Sequence, residues 1–239
     1  MKTLIVIPSR MASKRFPGKP MALIKGKPMI QRVWEQAISS KIGDVIVACS
    51  EKEVFNLINS KGGNAILTDP EIPSGTDRVF AAIQNYSKLD KFESIINLQG
   101  DMPLIEPYDI IKVNEPLIQG FDIGTLVTNF KEKDELYDVN VTKAKIDWIK
   151  KESIGKAIDF KKDIDVLEKN EFYHHVGIYS FRYQTLKKFT SLSLSKNEKI
   201  RGLEQMRALD SNMSIGVAYV KNVPISVDTH EDLIKIEKK

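Results

Sequence analysis

Four basic side chains crowd one short stretch, IPSRMASKRFPGKP at residues 7–20: Arg10, Lys14, Arg15 and Lys19, with no acid among them. Far downstream, LQGDMP sets Asp101 just after an apolar run, and VPISVDTHEDL sets Asp228 after another, 127 positions later. Clustered guanidinium and ammonium groups bind phosphate. At roughly 4 Å and an effective dielectric near 20, each charge pair contributes about 4 kcal/mol before desolvation. Two carboxylates brought together suit Mg²⁺, which takes oxygen ligands and fills its other positions with water and substrate phosphate. Each feature also has an ordinary explanation: a solvated loop, a turn aspartate at 101, and an N-cap at 228 for the helical pattern THEDLIKI. Only their meeting at one place would make chemistry.

The elements that must position them alternate in type. TLIVIP (3–8), DVIVAC (44–49), NAILT (64–68) and SIINLQ (94–99) are short, rich in Ile and Val, and bounded by polar residues or Gly. Strands covered on both faces look like this. Between them, KPMIQRVWEQAISSK repeats Met29, Ile30, Val33, Trp34, Ala37 and Ile38 at helical spacing, with Pro28 suited to the first turn. EKEVFNLINSKGG ends in glycines suited to a helix C-terminus, and GTDRVFAAIQNYSKL puts Val79, Ile83 and Tyr86 on one stripe. The alternation predicts a mostly parallel sheet with helices on both sides, and ligands in such folds sit beyond the carboxyl ends of the strands. TLIVIP delivers the basic loop to that edge, SIINLQ delivers Gln99, Gly100 and Asp101, and a closing strand VAYVKNVPISV delivers Asp228. Glycine-rich dinucleotide and P-loop patterns are absent, so any phosphate would be held by side chains.

After about residue 120 the pattern changes. DIGTLVTNF, NVTKAKID and EFYHHVGIYSF read as strands joined by the charged connections FKEKDELYD and FKKDIDVLEKN, and KIRGLEQMRALD reads as one helix. This predicts an inserted, partly antiparallel region near 130–182. With no repeat, low-complexity tract or linker, residues 1–239 are expected to form one main domain. The three histidines lack supporting cysteines for a zinc site, and His174 and His230 read as ordinary surface or loop residues.

Composition narrows the classes. Hydrophobic content of 42% and charged content of 28% are ordinary for a globular chain. No apolar run approaches the roughly 20 residues of a membrane-spanning helix. The single cysteine, Cys49, excludes an internal disulfide and fits a cytoplasmic setting. The net charge of +4 is local: eight basic residues precede the first acid, Glu35, and the rest of the chain holds 28 basic against 32 acidic residues. A transit peptide should be an amphipathic helix, which TLIVIP and Pro17-Gly18 oppose. A nucleic-acid arm would carry a longer basic run with interleaved aromatics. Neither nucleic acid nor membrane insertion is therefore expected.

IPSRMASKRFPGKP, SGTDR, LQGDMP, HVGIYSF, LEQMRAL and VDTHEDL stand in the order and approximate spacing of the 3-deoxy-manno-octulosonate cytidylyltransferases, the CMP-Kdo synthetases. The resemblance spans residues 3 to about 236; its first motif is shared with related sugar nucleotidyltransferases, whereas HVGIY followed by LEQ and VDT is more specific. It implies a three-layer α/β/α nucleotidyltransferase (Rossmann-like) fold with an inserted dimerisation region. It also implies transfer of CMP from CTP to Kdo for lipopolysaccharide synthesis, with Mg²⁺ as cofactor and a homodimer as the assembly. Carried over position by position, Arg10, Ser13, Arg15 and Lys19 match the phosphate loop, while Ser74, Gly75, Thr76 and Arg78 match the segment reading cytosine and ribose. Asp101 and Asp228 match the metal aspartates, and Gln99, His175, Tyr179, Glu204 and Gln205 match the sugar pocket. Lys19 and Arg10 would stabilise the leaving pyrophosphate.

Two departures from the family pattern stand out, and the second falls on the acceptor side. Met102 stands where the family usually has Glu, which leaves the metal aspartate in place. The family's aromatic-Ser-Arg segment is not recognisable within 155–172, and His174 replaces a commonly basic residue. A modified octulosonate, such as one with an amino group on its tail that Glu204 would pair, is therefore an alternative acceptor. A metal-dependent glycosyltransferase is the alternative from a different class.

Overall fold

The computed structural model describes residues 1–13, 15–84, 86–87, 89–164 and 171–238; Lys14 and residues 165–170 of the divergent segment lie outside them. The chain folds as two compact units, Met1–Ile111 with Pro224–Lys239, and Lys112–Val223.

In chain order the first unit holds β1 (Thr3–Ser9), β2 (Leu23–Ile24), β3 (Lys27–Pro28), α1 (Met29–Ser39), β4 (Gly43–Cys49), α2 (Lys52–Ser60), β5 (Asn64–Leu67), α3 (Gly75–Gln84) and β6 (Ser94–Asn97). Helix α4 (Pro107–Lys112) follows. The strands β5-β4-β1-β6 lie side by side and all pairings are parallel. Every residue of β1 is buried, as expected of a strand covered on both faces. Helix α1 buries Met29, Ile30, Val33, Trp34 and Ala37 on one stripe, while Ile38 turns outward at 45% exposure. The expected α/β alternation therefore holds through this half.

The second unit contains α5 (Glu115–Ile118), β7 (Ile123–Thr128), β8 (Lys143–Lys150), β9 (Ile154–Lys161), β10 (Phe172–Phe181), α6 (Tyr183–Ser191), α7 (Lys196–Arg201), α8 (Met206–Asp210) and β11 (Ile215–Tyr219). Here β10 runs antiparallel to β7 and β8, and β9 antiparallel to β8 and β11, with only β7 and β11 parallel. Because β8 pairs with both β9 and β10, the five strands close on one another.

Three expectations are corrected. Strand β9 was not foreseen, because its buried positions include Gly155 and Ala157, which carry little apolar signal. The single helix expected over KIRGLEQMRALD is two, α7 and α8, since Gly202 caps α7 in the left-handed conformation at φ +60°. That conformation costs any residue with a Cβ. The closing strand VAYVKNVPISV ends as β11 at Tyr219, and residues 220–227 run on without strand pairing. The chain then returns to the first unit and ends in α9 (His230–Glu237).

Candidate active site

The loop after β1 is folded around one carbonyl. Met11 O accepts from the backbone N–H of Ser13 at 2.9 Å and of Gly18 at 3.0 Å. Gly18 sits at φ +73°, a left-handed conformation that lets the loop close there. Ser13 Oγ accepts from Phe16 N–H at 3.4 Å, and Phe16 anchors the loop in an apolar cluster with Ile24, Met29, Val227 and Ile236. The segment Pro17-Gly18-Lys19 thus delivers Lys19 inward; its side chain is only 14% exposed.

Asp228 reaches the same place by a different route from the one expected. It does not end a strand. Val227, fully buried in that apolar cluster, donates its backbone N–H to Asp101 O at 2.9 Å. Beyond it, Thr229 and Asp232 form a capping box at the start of α9, and Asp232 Oδ2 also accepts from Asp228 N–H at 3.1 Å. Backbone and core packing therefore fix Asp228.

The two carboxylates converge on one ammonium. Lys19 Nζ donates to Asp101 Oδ2 at 2.9 Å and to Asp228 Oδ1 at 3.1 Å, and Arg15 Nη2 lies 3.0 Å from Asp228 Oδ1. Burial alone would lower the Lys19 pKa, but the charges and hydrogen bonds of Asp101 and Asp228 outweigh it and hold the pKa above its ordinary value. Lys19 is thus a fixed cation, not a base, at neutral pH. Among the described residues no group of three or more His, Cys, Asp or Glu side chains gathers for a metal. Two carboxylates that close on a single cationic centre fit Mg²⁺, whose remaining positions go to water and phosphate.

These groups border a cavity of about 430 Å³ in the first unit, which also takes in Arg10, Ser13, Ser74, Gly75, Arg78 and Gln99. Helix α3 begins at this wall. Ser74 Oγ accepts from Asp77 N–H at 3.0 Å and donates to Asp77 Oδ2 at 2.8 Å, so this end of the helix carries a side-chain cap and the Asp77 carboxylate that suits its positive pole. Arg78 is 1% exposed and its guanidinium is committed to Thr68 Oγ1 at 2.6 Å and to Asp69 O at 3.1 Å. Burial, then the nearby Arg10 charge, hold its pKa below the usual arginine value. Thr76 lies behind the wall at 2% exposure, accepting from Asn97 Nδ2 at 3.1 Å, and Asn97 in turn accepts from Gln99 Nε2 at 3.0 Å. Pro8, Ser9, Ala12 and Pro73 also border the cavity and were not foreseen; their only sequence signal is adjacency to Arg10 and Ser74.

The remaining expected residues lie in the second unit. The register of β10 against β7 shifts between Val176 and Tyr179, a bulge that brings the His175 and Tyr179 rings to 5.6 Å. His175 Nε2 lies 3.0 Å from Thr125 Oγ1, which donates to Ile178 O at 2.8 Å, so the ring nitrogen is the donor to Thr125. Burial, and secondarily His174, push the His175 pKa down to about 3; burial, then Glu204, push Tyr179 up. Both side chains are neutral at physiological pH. Glu204 and Gln205 occupy the turn between α7 and α8, and Glu204 Oε1 lies 3.9 Å from Arg207 Nη2. Arg207 makes a buried two-point pair with Glu198 at 2.6 and 2.8 Å, its guanidinium 5.0 Å from the Phe189 ring. His174 is not a surface residue: it sits on β10 with its side chain 14% exposed, its Nδ1 2.9 Å from Glu135 Oε2. His230 is exposed, with its ring against Phe16 at 4.9 Å.

Known proteins resemble this chain along nearly its whole length. Residues 4–215 match the family model described as Cytidylyltransferase. The chain is 42% identical to the 3-deoxy-manno-octulosonate cytidylyltransferase of Paramagnetospirillum magneticum, over 96% of this chain and 94% of that protein. It is 40% identical to the enzyme of the same name from Rhodospirillum rubrum, over 96% and 92%. A solved structure of CMP:2-keto-3-deoxy-manno-octonic acid synthetase complexed with CTP superposes with a TM-score of 0.87 at 30% identity, covering 100% of this chain and 98% of that one. The fold is accordingly a three-layer α/β/α nucleotidyltransferase fold, and the chain belongs to the 3-deoxy-manno-octulosonate cytidylyltransferase family.

Proposed function

We propose that this chain transfers CMP from CTP to the anomeric hydroxyl of 3-deoxy-D-manno-octulosonate (Kdo) and releases pyrophosphate. The observation that carries the reading is Lys19 held between Asp101 and Asp228 in a cavity bordered by Arg10 and Arg15. Cations for a triphosphate and a carboxylate pair for a divalent ion occur together there.

In this reading Arg10, Arg15 and Lys19 take the phosphates, with Ser13 shaping their loop. Ser74 and Gly75 border the nucleoside, with Thr76 and Arg78 fixing that wall from behind. Asp101 and Asp228 would hold Mg²⁺, which would supply the charge that polarises the α-phosphate and lowers the pKa of the attacking hydroxyl. The sugar oxygen forms a bond to the α-phosphorus, the bond from that phosphorus to the bridging oxygen breaks, and the hydroxyl proton passes to solvent. Lys19 and Arg10 stabilise the charge on departing pyrophosphate. Catalysis is then positioning and charge neutralisation.

For the acceptor, His175, Tyr179 and Gln205 of the second unit offer neutral donors and Glu204 a carboxylate, while Gln99 borders the cavity of the first unit. Arg207 lies 3.9 Å from that carboxylate, which disfavours a second cation beside it. A hydroxylated tail is therefore favoured over an amino-substituted one. The same reading includes a homodimer through the antiparallel region, supported by Ile149 and Ile158, exposed at 69% and 47% on β8 and β9. A cytoplasmic location is supported by the lone, buried Cys49, whose thiol burial and then Glu51 push up to about 11. No helix among the described residues is long and apolar enough to cross a membrane.

The test is pyrophosphate release from CTP with Kdo, an amino-octulosonate and a nine-carbon sialic acid, with and without Mg²⁺, and mass spectrometry of the sugar nucleotide. CMP-Kdo should dominate. CMP-sialate as the main product, or no release with any acceptor, would sink the assignment, and equilibrium sedimentation tests the dimer.

A further inference from the structure

LEQMRAL supplies Glu204 and Gln205 to the expected acceptor side and leaves Arg207 without a role. In the folded chain Arg207 stands between two carboxylates. Its Nε donates to Glu198 Oε2 at 2.8 Å and its Nη2 to Glu198 Oε1 at 2.6 Å, a two-point pair that fixes the plane of the guanidinium. Nη2 also lies 3.9 Å from Glu204 Oε1, three positions earlier in the chain. Glu198 is itself held: it completes the capping box of α7, where its Oε2 accepts from Ser195 N–H at 3.2 Å.

Exposure divides the three side chains. Those of Arg207 and Glu198 are 6% and 9% exposed, whereas that of Glu204 is 30% exposed. Glu204 is the member a ligand can reach, and Arg207 meets the ligand only through it. Burial, and after it the Glu204 charge, keep the Tyr179 hydroxyl protonated, so Glu204 and Tyr179 share one electrostatic neighbourhood within the second unit. An unanchored glutamate at such a turn would spread over several rotamers, and a ligand would have to order it. A fixed cation beside it removes that cost before the ligand arrives. We infer that Arg207 is a positioning residue for the acceptor: anchored by Glu198, it holds the Glu204 carboxylate where it accepts hydrogen bonds from hydroxyls of the sugar. The inference rests on the reading that the acceptor lies against Glu204.

Removing Arg207 alone would strand Glu198, so the two are removed together as Glu198→Met, Arg207→Met. This variant of the full chain is compared with Glu204→Gln and with the triple variant, by steady-state kinetics with Kdo and calorimetry with CTP. In the double variant, kcat and CTP affinity should stay within about twofold of wild type. Its KM for Kdo should rise about tenfold, the worth of one well-held charged hydrogen bond. Glu204→Gln should raise that KM similarly, and the triple variant should be no worse than Glu204→Gln, because Arg207 acts through Glu204. A double variant with KM for Kdo within about twofold of wild type overturns the inference. So does a triple variant whose losses multiply, or an equal loss of CTP affinity, the behaviour of a pair that only supports the fold. Should the double variant not fold, Arg207→Lys keeps a cation beside Glu198 without the two-point geometry. It should raise the KM for Kdo about threefold or more with CTP affinity unchanged, and an unchanged KM overturns the inference. An unchanged KM in Glu204→Gln instead defeats the placement of the acceptor against Glu204, and the inference falls with it. Wild-type protein that does not turn over Kdo defeats the functional reading itself.

Discussion

Val227 donates its backbone N–H to the carbonyl oxygen of Asp101 at 2.9 Å, and this one bond sets the two carboxylates of the site beside each other. The side chains then need only their shared counter-ion, Lys19. Asp101→Asn and Asp228→Asn keep the shape and remove one charge. Each should lower kcat by about 100-fold or more, in the range seen when one pre-organised electrostatic group is lost. Stability should change by no more than about 1 kcal/mol, because the pairs are partly solvated. Steady-state assays at several Mg²⁺ concentrations with parallel denaturant melts check both; full activity at limiting Mg²⁺ contradicts the shared-metal reading.

Lys19→Met leaves Asp101 and Asp228 without their shared counter-ion, with Arg15 still against Asp228. Turnover with CTP should fall by about 100-fold, with far-UV circular dichroism unchanged. An unaltered kcat/KM for CTP in the folded variant removes Lys19 from the site.

His175 gives a pH signature with a definite sign. Its folded pKa, about 3, lies below the roughly 6.5 of an unfolded histidine, so the unfolded chain binds the extra proton first on acidification. The neutral buried ring contributes its stability fully above about pH 6.5 and loses it as pH falls toward 3. Between pH 7.5 and 5 this one group should cost about 2 kcal/mol. Urea unfolding at the two pH values should show a smaller drop for His175→Gln by that amount; equal drops would place the histidine in a wetter setting.

Gly202 separates α7 from α8 at φ +60° and so sets where Glu204 and Gln205 begin. Gly202→Ala should destabilise the protein by about 1–2 kcal/mol through the left-handed conformation alone. It should also raise the KM for the acceptor sugar while the affinity for CTP stays put. Equal effects on both substrates would detach this turn from acceptor binding.

Arg207→Met would strand the buried Glu198 carboxylate, and about 3–5 kcal/mol of stability should go with it. The double variant Glu198→Met, Arg207→Met should recover most of that loss. A double variant as unstable as the single one would mean that the pair is not acting as a unit.

How much of this was legible in the sequence depends on how local the cause is. The seven buried residues of β1 announce themselves by composition, and the stripe of α1 by spacing. Asp228 was placed at the site for a wrong reason: a strand end was expected, whereas a buried valine and a backbone bond put it there. No local pattern encodes that contact. β9 was missed because two of its inward positions are Gly155 and Ala157, whose burial leaves almost no hydrophobic trace. His174 looked like a surface residue because its partner, Glu135, is 39 positions away.

The first unit is interrupted in sequence: Pro224–Lys239 completes what Met1–Ile111 begins, and all of Lys112–Val223 lies between. On the ribosome, the strand bearing the basic loop emerges long before the residue that closes the charge pair. Until the segment after Val223 has left the exit tunnel, Phe16 and Met29 lack Val227 and Ile236 to pack against, and Lys19 lacks one of its two carboxylates. The inserted unit, by contrast, has its whole sequence by then. Assembly of the cavity therefore waits for residues 224–239, and a nascent chain stalled near residue 223 would display its basic loop without the carboxylate and the apolar partners that fix it.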